Sequence, residues 1–217
     1  MSNTSLGLDI NTLKQYTIKM MEKSEDALLK SVKALQTRDL ECAKKVIEAD
    51  DDIDTLREYI RDRSIELMAL KQPMARDLRY IYALGSIAIE LERIGDYAVN
   101  IAMEQLSIGE EPYIKELIDI PKMAGICRDM ISQAKVALEN NDEELAYQVA
   151  KKDDEVDELY TCIHEDCLKV MDSNSSTIKQ GVRLLFVGRY LERIGDHTTN
   201  ICEKIIYAIN GEMVEIG

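Results

Sequence analysis

Several residue types are scarce in this chain. Tryptophan is absent, and its 217 residues include one phenylalanine, three prolines and ten glycines. So few helix breakers and turn formers argue against a turn-rich β fold and favour long, uninterrupted helices. No apolar run reaches the length of a membrane span; the best one, GVRLLFVG, is followed at once by charged residues. The five cysteines include no C-x-x-C pair, so we expect reduced thiols rather than a disulfide framework.

Positive charge is also in short supply. The chain has 27 Lys and Arg against 41 Asp and Glu, for a net charge of −14. This balance disfavours nucleic acid and anionic membranes, because both are bound through basic residues. Cations and basic protein surfaces are better partners. The start, MSNTSLGLDINTLKQ, lacks a basic region followed by an apolar run, and we therefore expect a cytoplasmic protein.

The sequence contains one unit twice. LERIGD begins at Leu91 and again at Leu191, and each time an Asn lies four residues after the Asp. The segment 33–56 also aligns without a gap with the segment 136–159. The offset between the copies is 103 residues in this segment and 100 residues at LERIGD. Each copy is therefore one structural repeat of about one hundred residues.

Apolar residues at three- and four-residue steps indicate helices in each copy. Asp39 and Asp142 are predicted N-caps, and Ser175 or Ser176 is a predicted cap of the last helix. We predict six helices, at residues 8–37, 39–71, 73–107, 121–140, 142–172 and 175–210. The predicted fold is all-α and consists of two tandem three-helix antiparallel bundles, at residues 1–108 and 121–217, with a linker at 109–120.

Each copy carries two pairs of acidic residues spaced four apart, which places both members of a pair on one helix face. These pairs are Asp50/Asp54 and Glu92/Asp96 in the first copy, and Asp153/Asp157 and Glu192/Asp196 in the second. In an antiparallel hairpin the two pairs of a copy lie at similar distances from the turn, so they should be level. Asn100 and Asn200 continue the line of the second pair by one turn.

Four carboxylates at one level repel one another and are costly to bury unless cations balance them. Oxygen ligands of this kind suit Mg, Mn, Fe, Ca and, less well, Zn, and they can bridge more than one ion. The alternative is an acidic face whose charges pair with Arg93 and Arg193, three residues before Asp96 and Asp196. The pattern alone leaves both interpretations open. It also leaves open whether Gly95 and Gly195 serve a site or only close helix packing.

Three stretches of the sequence together resemble the PhoU family of phosphate-uptake regulators. They are RDLRYIYALGSIAIELERIGDYAVNIA from Arg76, LLFVGRYLERIGDHTTNICE from Leu184, and the aspartate-rich turns that precede them. The resemblance implies a six-helix protein whose E(D)-x-x-x-D motifs bind metal clusters, commonly of iron or zinc. Carried over by position, the implied ligands are Asp50, Asp54, Glu92, Asp96, Asp153, Asp157, Glu192 and Asp196, with Arg93, Asn100, Arg193 and Asn200 as possible supporting residues.

The resemblance also implies a cytoplasmic, often dimeric protein that is not an enzyme. Members of the family repress the phosphate-starvation response, acting between the ATPase of the phosphate transporter and a sensor histidine kinase. The sequence pattern also leaves two other functions open. One is a ferritin-like metal-binding or oxidase bundle, although the E-x-x-H motifs of that class are missing from this sequence. The other is a metal-free helical scaffold.

Overall fold

The computed structural model describes residues 5–216, and this range contains helices and no strand. In the first copy, α1 spans Ser5–Thr37, α2 Leu40–Glu48, α3 Asp51–Lys71 and α4 Ala75–Ile108. In the second copy, α5 spans Asp119–Asn140, α6 Glu143–Ala150, α7 Asp153–Ser173 and α8 Ile178–Asn210, with a short 3-10 helix at Ser175–Thr177. The all-α prediction is confirmed. Residues 1–4 and 217, at the ends of the two predicted bundles, lie outside the described residues.

All six predicted helices are present, but the second helix of each copy is interrupted. Residues 49–50 separate α2 from α3, and residues 151–152 separate α6 from α7. At the first interruption the N–H of Ile53 bonds to the carbonyl of Asp50, three residues back, at 2.8 Å. The chain therefore forms one tighter turn, with a hydrogen bond across three residues, between α2 and α3. No Pro or Gly marks this turn, so the sequence predicted one continuous helix.

Side-chain caps fix the starts of α2 and α6, as predicted. The carboxylate of Asp39 accepts a hydrogen bond from the N–H of Cys42 at 2.9 Å, and Asp142 accepts one from Leu145 at 3.0 Å. The predicted serine cap before the last helix is wrong. The side chain of Asn174 caps this point instead, accepting from the N–H of Ser176 at 3.0 Å.

One continuous hydrophobic core runs through both copies. Within each copy the first and third helices pack together, α1 on α4 and α5 on α8, and α4 also packs along α8. The two copies share this core, so the core does not mark a boundary between them. The proposed division into residues 1–108, 109–120 and 121–217 stays a prediction. Among the described residues, no helix combines the length and apolar character needed to cross a membrane.

The helices α4 and α8 run antiparallel. The ring centroid of Tyr82 lies 6.1 Å from that of Tyr207, and those of Tyr97 and Tyr190 lie 5.9 Å apart. Because these helices are copies offset by 100 residues, their contacts follow an approximate two-fold symmetry. Position 97 meets position 190, and the equivalent position 90 meets position 197.

We expect Asp142→Ala to lower the free energy of unfolding by about 1 kcal/mol, because the first turn of α6 loses its cap. Urea denaturation followed by circular dichroism measures this change. Asp142→Asn is the control, since it keeps a capping oxygen and should stay within a few tenths of a kcal/mol of the wild type. Equal losses in the two variants would contradict the assignment.

Candidate metal centre

The acidic residues of the first copy lie together where α3 meets α4. A Cβ atom added to Gly95 of α4 would lie 3.3 Å from Oδ1 of Asp50 and 3.0 Å from Cδ1 of Ile53. The charges of Asp54, Asp96 and Glu92 all act on Asp50. The aspartate pair and the glutamate–aspartate pair are therefore adjacent in space.

The second copy repeats this arrangement with a closer approach. A Cβ atom on Gly195 would clash with Oδ1 of Asp153 and would lie 3.2 Å from Cγ1 of Val156. The charges of Asp196, Asp157 and Glu192 act on Asp153. The missing side chain at Gly195 thus lets a carboxylate reach the backbone of α8 and lets α7 pack closely, whereas a role of Gly195 in a site stays a prediction.

Burial and mutual repulsion raise the pKa of several of these carboxyls. Burial, followed by the charges of its acidic neighbours, raises the pKa of Asp50 to about 6 and that of Asp153 to about 7. Burial and the charge of Asp196 also raise the pKa of Asp157 and of Glu192. In each cluster the buried aspartate beside the glycine is therefore the carboxyl with the most strongly raised pKa.

Arginines offset part of this charge in the first copy. Nη1 of Arg93 donates to Oδ2 of Asp96 at 3.2 Å. Nε of Arg57 lies 4.0 Å from Oδ1 of Asp54 and 3.9 Å from Oε1 of Glu92. Two guanidinium groups thus accompany four carboxylates.

The second copy has the same ratio. Nη1 of Arg193 donates to Oδ2 of Asp196 at 2.8 Å, and Nη1 of Arg189 donates to Oε1 of Glu192. The ion pairs of Arg93 and Arg193 that the sequence offered as the alternative interpretation are therefore present. They do not account for Asp153, which forms no ion pair with any basic residue that the structure describes.

Three buried oxygen atoms of the second cluster have no hydrogen-bond partner within residues 5–216. They are Oδ1 of Asp153, Oε2 of Glu192 and Oγ1 of Thr199. Thr199 is only 4% exposed and lies beside Asp153, where its hydroxyl lowers the pKa of the Asp153 carboxyl. Nε of Arg193 lies 3.6 Å from Oε2 of Glu192, which is an ion pair without a hydrogen bond. Buried oxygens without hydrogen-bond partners are costly, and carboxylate and hydroxyl oxygens are ligands for hard or borderline metal ions. The donor atoms therefore fit a metal ion.

The side chains are not closed around an ion in the structure as it stands. Across the described part of the chain, no three His, Cys, Asp or Glu side chains converge to form a ready metal-binding group. Metal binding would require the carboxylates to rotate about their side-chain bonds. The assignment of the eight acidic residues as ligands stays a prediction.

The predicted supporting asparagines are placed differently from each other. Nδ2 of Asn200 donates to Oε2 of Glu90 at 3.1 Å, so its amide nitrogen reaches α4 of the other copy. Nδ1 of His197 lies 2.7 Å from the same oxygen. Asn100 forms no side-chain hydrogen bond with any described residue. Sequence reasoning missed Glu90, because its partners lie in the other copy and only the antiparallel pairing of α4 and α8 reveals them.

Comparison with known proteins gives one consistent result. The PhoU domain model matches residues 17–104 and 120–205, once in each copy. The phosphate-specific transport system accessory protein PhoU homolog of Clostridium acetobutylicum is 36% identical over 209 residues, 96% of this chain and 95% of that protein. Its counterpart in Aquifex aeolicus is 37% identical over 207 residues, with 95% and 94% covered.

Solved structures agree with the sequence relatives. The crystal structure of the phosphate transport system regulatory protein PhoU from Streptococcus pneumoniae superposes with a TM-score of 0.91 at 26% identity, covering 97% of this chain and 100% of that one. The crystal structure of PhoU from Pseudomonas aeruginosa gives a TM-score of 0.92 at 29% identity, covering 96% and 100%.

We expect Gly195→Ala to lower the free energy of unfolding by about 1–3 kcal/mol, because the new methyl group displaces the Asp153 carboxylate. Gly125→Ala in α5 is the matched control. A Cβ there meets nothing within 4 Å, so the variant should gain about 0.5–1 kcal/mol from helix propensity. Thermal and urea unfolding of both variants tests this, and a stabilised Gly195→Ala protein would refute the close contact.

We expect the metal-free protein to lose stability as the pH rises through the raised pKa values. A carboxyl with a higher pKa in the folded state binds protons preferentially when folded, so its contribution is most favourable below the unfolded pKa of about 3.9. For Asp153 that contribution is lost as the pH rises through about 7. In a buffer that contains a metal chelator, the Asp153→Asn variant should therefore have a higher free energy of unfolding than the wild type at pH 8. This difference between the two proteins should be smaller at pH 5.

Urea denaturation at the two pH values measures this difference. Asp154→Asn is the control, because the neighbouring Asp154 side chain is exposed and should give no gain at pH 8. A loss of stability in Asp153→Asn at pH 8 would show that Asp153 is well balanced in the metal-free protein.

Proposed function

Because the chain belongs to the PhoU family, we propose that it is a negative regulator of phosphate uptake and of phosphate-starvation signalling. The observation that carries this proposal is the match of the PhoU domain to both copies, together with a shared fold over nearly the whole chain. Members of this family are regulatory accessory proteins and not enzymes, so the chain acts through binding.

The proposed partners are the ATPase subunit of the phosphate transporter and a sensor histidine kinase, with a second copy of the chain as a homodimer. Exposed apolar side chains on α4 and α8 support a binding role. Leu78 and Tyr82 are exposed on α4, and Ile178 and Val182 are exposed at the equivalent positions of α8. The members of each pair lie four residues apart on one helix face, and exposed apolar side chains grouped in this way can contact another protein. The proposed location is the cytoplasm, where the transporter ATPase has access to ATP.

The proposed cofactor is one or more metal ions at the two acidic clusters. Iron and zinc are the first candidates, and Mg, Mn and Ca are the alternatives. The unpartnered oxygens of Asp153, Glu192 and Thr199 support this proposal. A bound ion would neutralise carboxylates from two helices at once, so the relative positions of these helices, and the surfaces they carry, would depend on metal occupancy.

The metal-free scaffold remains the second candidate. The hydrogen bonds from Arg93 to Asp96 and from Arg193 to Asp196 favour it, because they neutralise one carboxylate in each cluster without any ion. A ferritin-like oxidase is not favoured, since the family to which the chain belongs is not enzymatic.

We expect the purified chain to retain the transporter ATPase subunit and the sensor kinase in pull-down experiments. A Tyr82→Ser/Phe186→Ser double variant should lose at least tenfold in affinity, because Tyr82 on α4 and Phe186 on α8 are both large, exposed side chains. Leu29→Ser on α1 is the control, since Leu29 is similarly exposed but lies on another helix. Failure of the wild type to bind either protein would contradict the proposed function.

A further inference from the structure

The first copy contains a cavity of about 150 Å³ between α1 and the two helices α2 and α3. A cavity of this size holds a group about as large as a benzene ring. Apolar walls with a few charged groups are typical of sites for small molecules. Here the apolar walls come from Ala27, Cys42, Val46, Ala49 and Ile53.

The second copy offers a direct comparison, because the same helices pack in the same register there. The hydroxyl of Ser24 on α1 donates to the carbonyl of Leu91 at 3.2 Å. The thiol of Cys127 on α5 donates to the carbonyl of Leu191 at 3.4 Å. The offset of 103 residues between the copies therefore extends to α1 and α5, and it identifies the counterpart of each residue around the cavity.

Three small residues of the cavity wall have bulky counterparts in the second copy. Met130 is fully buried there, and Nζ of Lys152 donates to Oε1 of Gln133 at 3.0 Å, across the position equivalent to the cavity. The helical frame that both copies share does not require a cavity at this place, so small side chains create it. The small residues Ala27, Cys42 and Ala49 correspond to Met130, Leu145 and Lys152.

Lysine side chains add positive charge to the cavity, and one of them has no partner in the chain. Nζ of Lys23 lies 2.7 Å from Oδ2 of Asp52, and Nζ of Lys30 lies 2.6 Å from Oδ2 of Asp26. Lys45 also lines the cavity, and it forms no ion pair with any residue that the structure describes. Its exposed ammonium group is therefore available to an anion.

The remaining carboxylate of the cavity does not balance Lys45. Oδ1 of Asp50 lies against Gly95 on α4, on the side of the acidic cluster. The three lysines are also specific to the first copy, since their counterparts are uncharged. Lys23, Lys30 and Lys45 correspond to Ile126, Gln133 and Gln148. Space and positive charge thus occur together in one copy and are both replaced in the other.

We propose that this cavity binds a small organic carboxylate. The apolar body of the ligand, about as large as a benzene ring, lies between α1 and α2, and its carboxylate pairs with Lys45 at the surface. Removal of the apolar part from water supplies the affinity, and the ammonium group selects an anion over a neutral molecule of the same shape. This inference does not depend on metal binding or on the proposed regulatory function.

The experiment uses the full chain in a buffer with chelator, so that no metal ion binds the probe. The probe is 4-fluorobenzoate, and its ¹⁹F signal is followed by nuclear magnetic resonance. We expect line broadening that saturates with a Kd of about 1 mM, a reasonable affinity for so few atoms. The neutral 4-fluorobenzamide has the same shape, and we expect it to bind about tenfold more weakly.

Variants that copy the second half of the chain test the site. An Ala27→Met/Cys42→Leu double variant should lose binding, because the side chains that the second copy carries would fill the cavity. Lys45→Gln should weaken binding about tenfold. Lys44→Gln is the matched control, since Lys44 is exposed, does not line the cavity and pairs with Glu41 at 3.9 Å. Thermal unfolding checks that each variant is folded.

A second measurement locates the probe on the wild-type chain. The thiol of Cys42 lines the cavity, so bound 4-fluorobenzoate should slow its alkylation by iodoacetamide. The exposed Cys162 is the internal control, and its rate of alkylation should not change. Mass spectrometry of the digested protein distinguishes the two cysteines.

Four results would each overturn the inference. They are no broadening at about 10 mM probe, equal binding of the benzamide, unchanged alkylation of Cys42, and a Lys45→Gln variant that binds like Lys44→Gln. The last of these decides the matter even if the double variant does not fold. None of these results bears on the pull-down experiments, which test the proposed regulatory function separately.

Discussion

The contact between an aspartate carboxylate and a glycine on the neighbouring helix organises both halves of this molecule. Asp50 lies against Gly95, and Asp153 lies against Gly195, so each aspartate is brought under the backbone of a long central helix. This position removes water from the carboxylate and places three more acidic side chains around it. The raised pKa values of Asp50 and Asp153 follow from this contact.

The sequence predicted the features that depend on local patterns. The six helices, the caps at Asp39 and Asp142 and the adjacency of the acidic pairs follow from periodicity, cap chemistry and the geometry of a hairpin. The helix interruptions at 49–50 and 151–152 could not be predicted from the sequence, because neither contains a Pro or a Gly. The contact of Glu90 with His197 joins residues 107 positions apart and needed the packing of α4 on α8.

Membership of the PhoU family explains why the chain carries two copies of one unit, but the copies are not equivalent. Arg57 faces an acidic cluster where its counterpart is Tyr160, and Val99 stands where the other copy has Thr199. LERIGD itself, which carries the glutamate–aspartate pair of each cluster, is identical in both copies. The two copies thus share their helices and their four carboxylates, but the second arginine of each cluster comes from a different helix, Arg57 from α3 and Arg189 from α8.

The antiparallel packing of α4 on α8 has a consequence for how these positions can change. If two separate single-copy chains packed in this way, symmetry would make every contact occur twice, and one substitution would alter both places. In a single chain that contains both copies, different residues form the two symmetry-related contacts, so each contact can be substituted separately. Glu90 with His197 and Tyr190 with Tyr97 occupy such symmetry-related places. One is now a polar contact and the other an aromatic one, a divergence that a symmetric assembly of identical chains cannot reach.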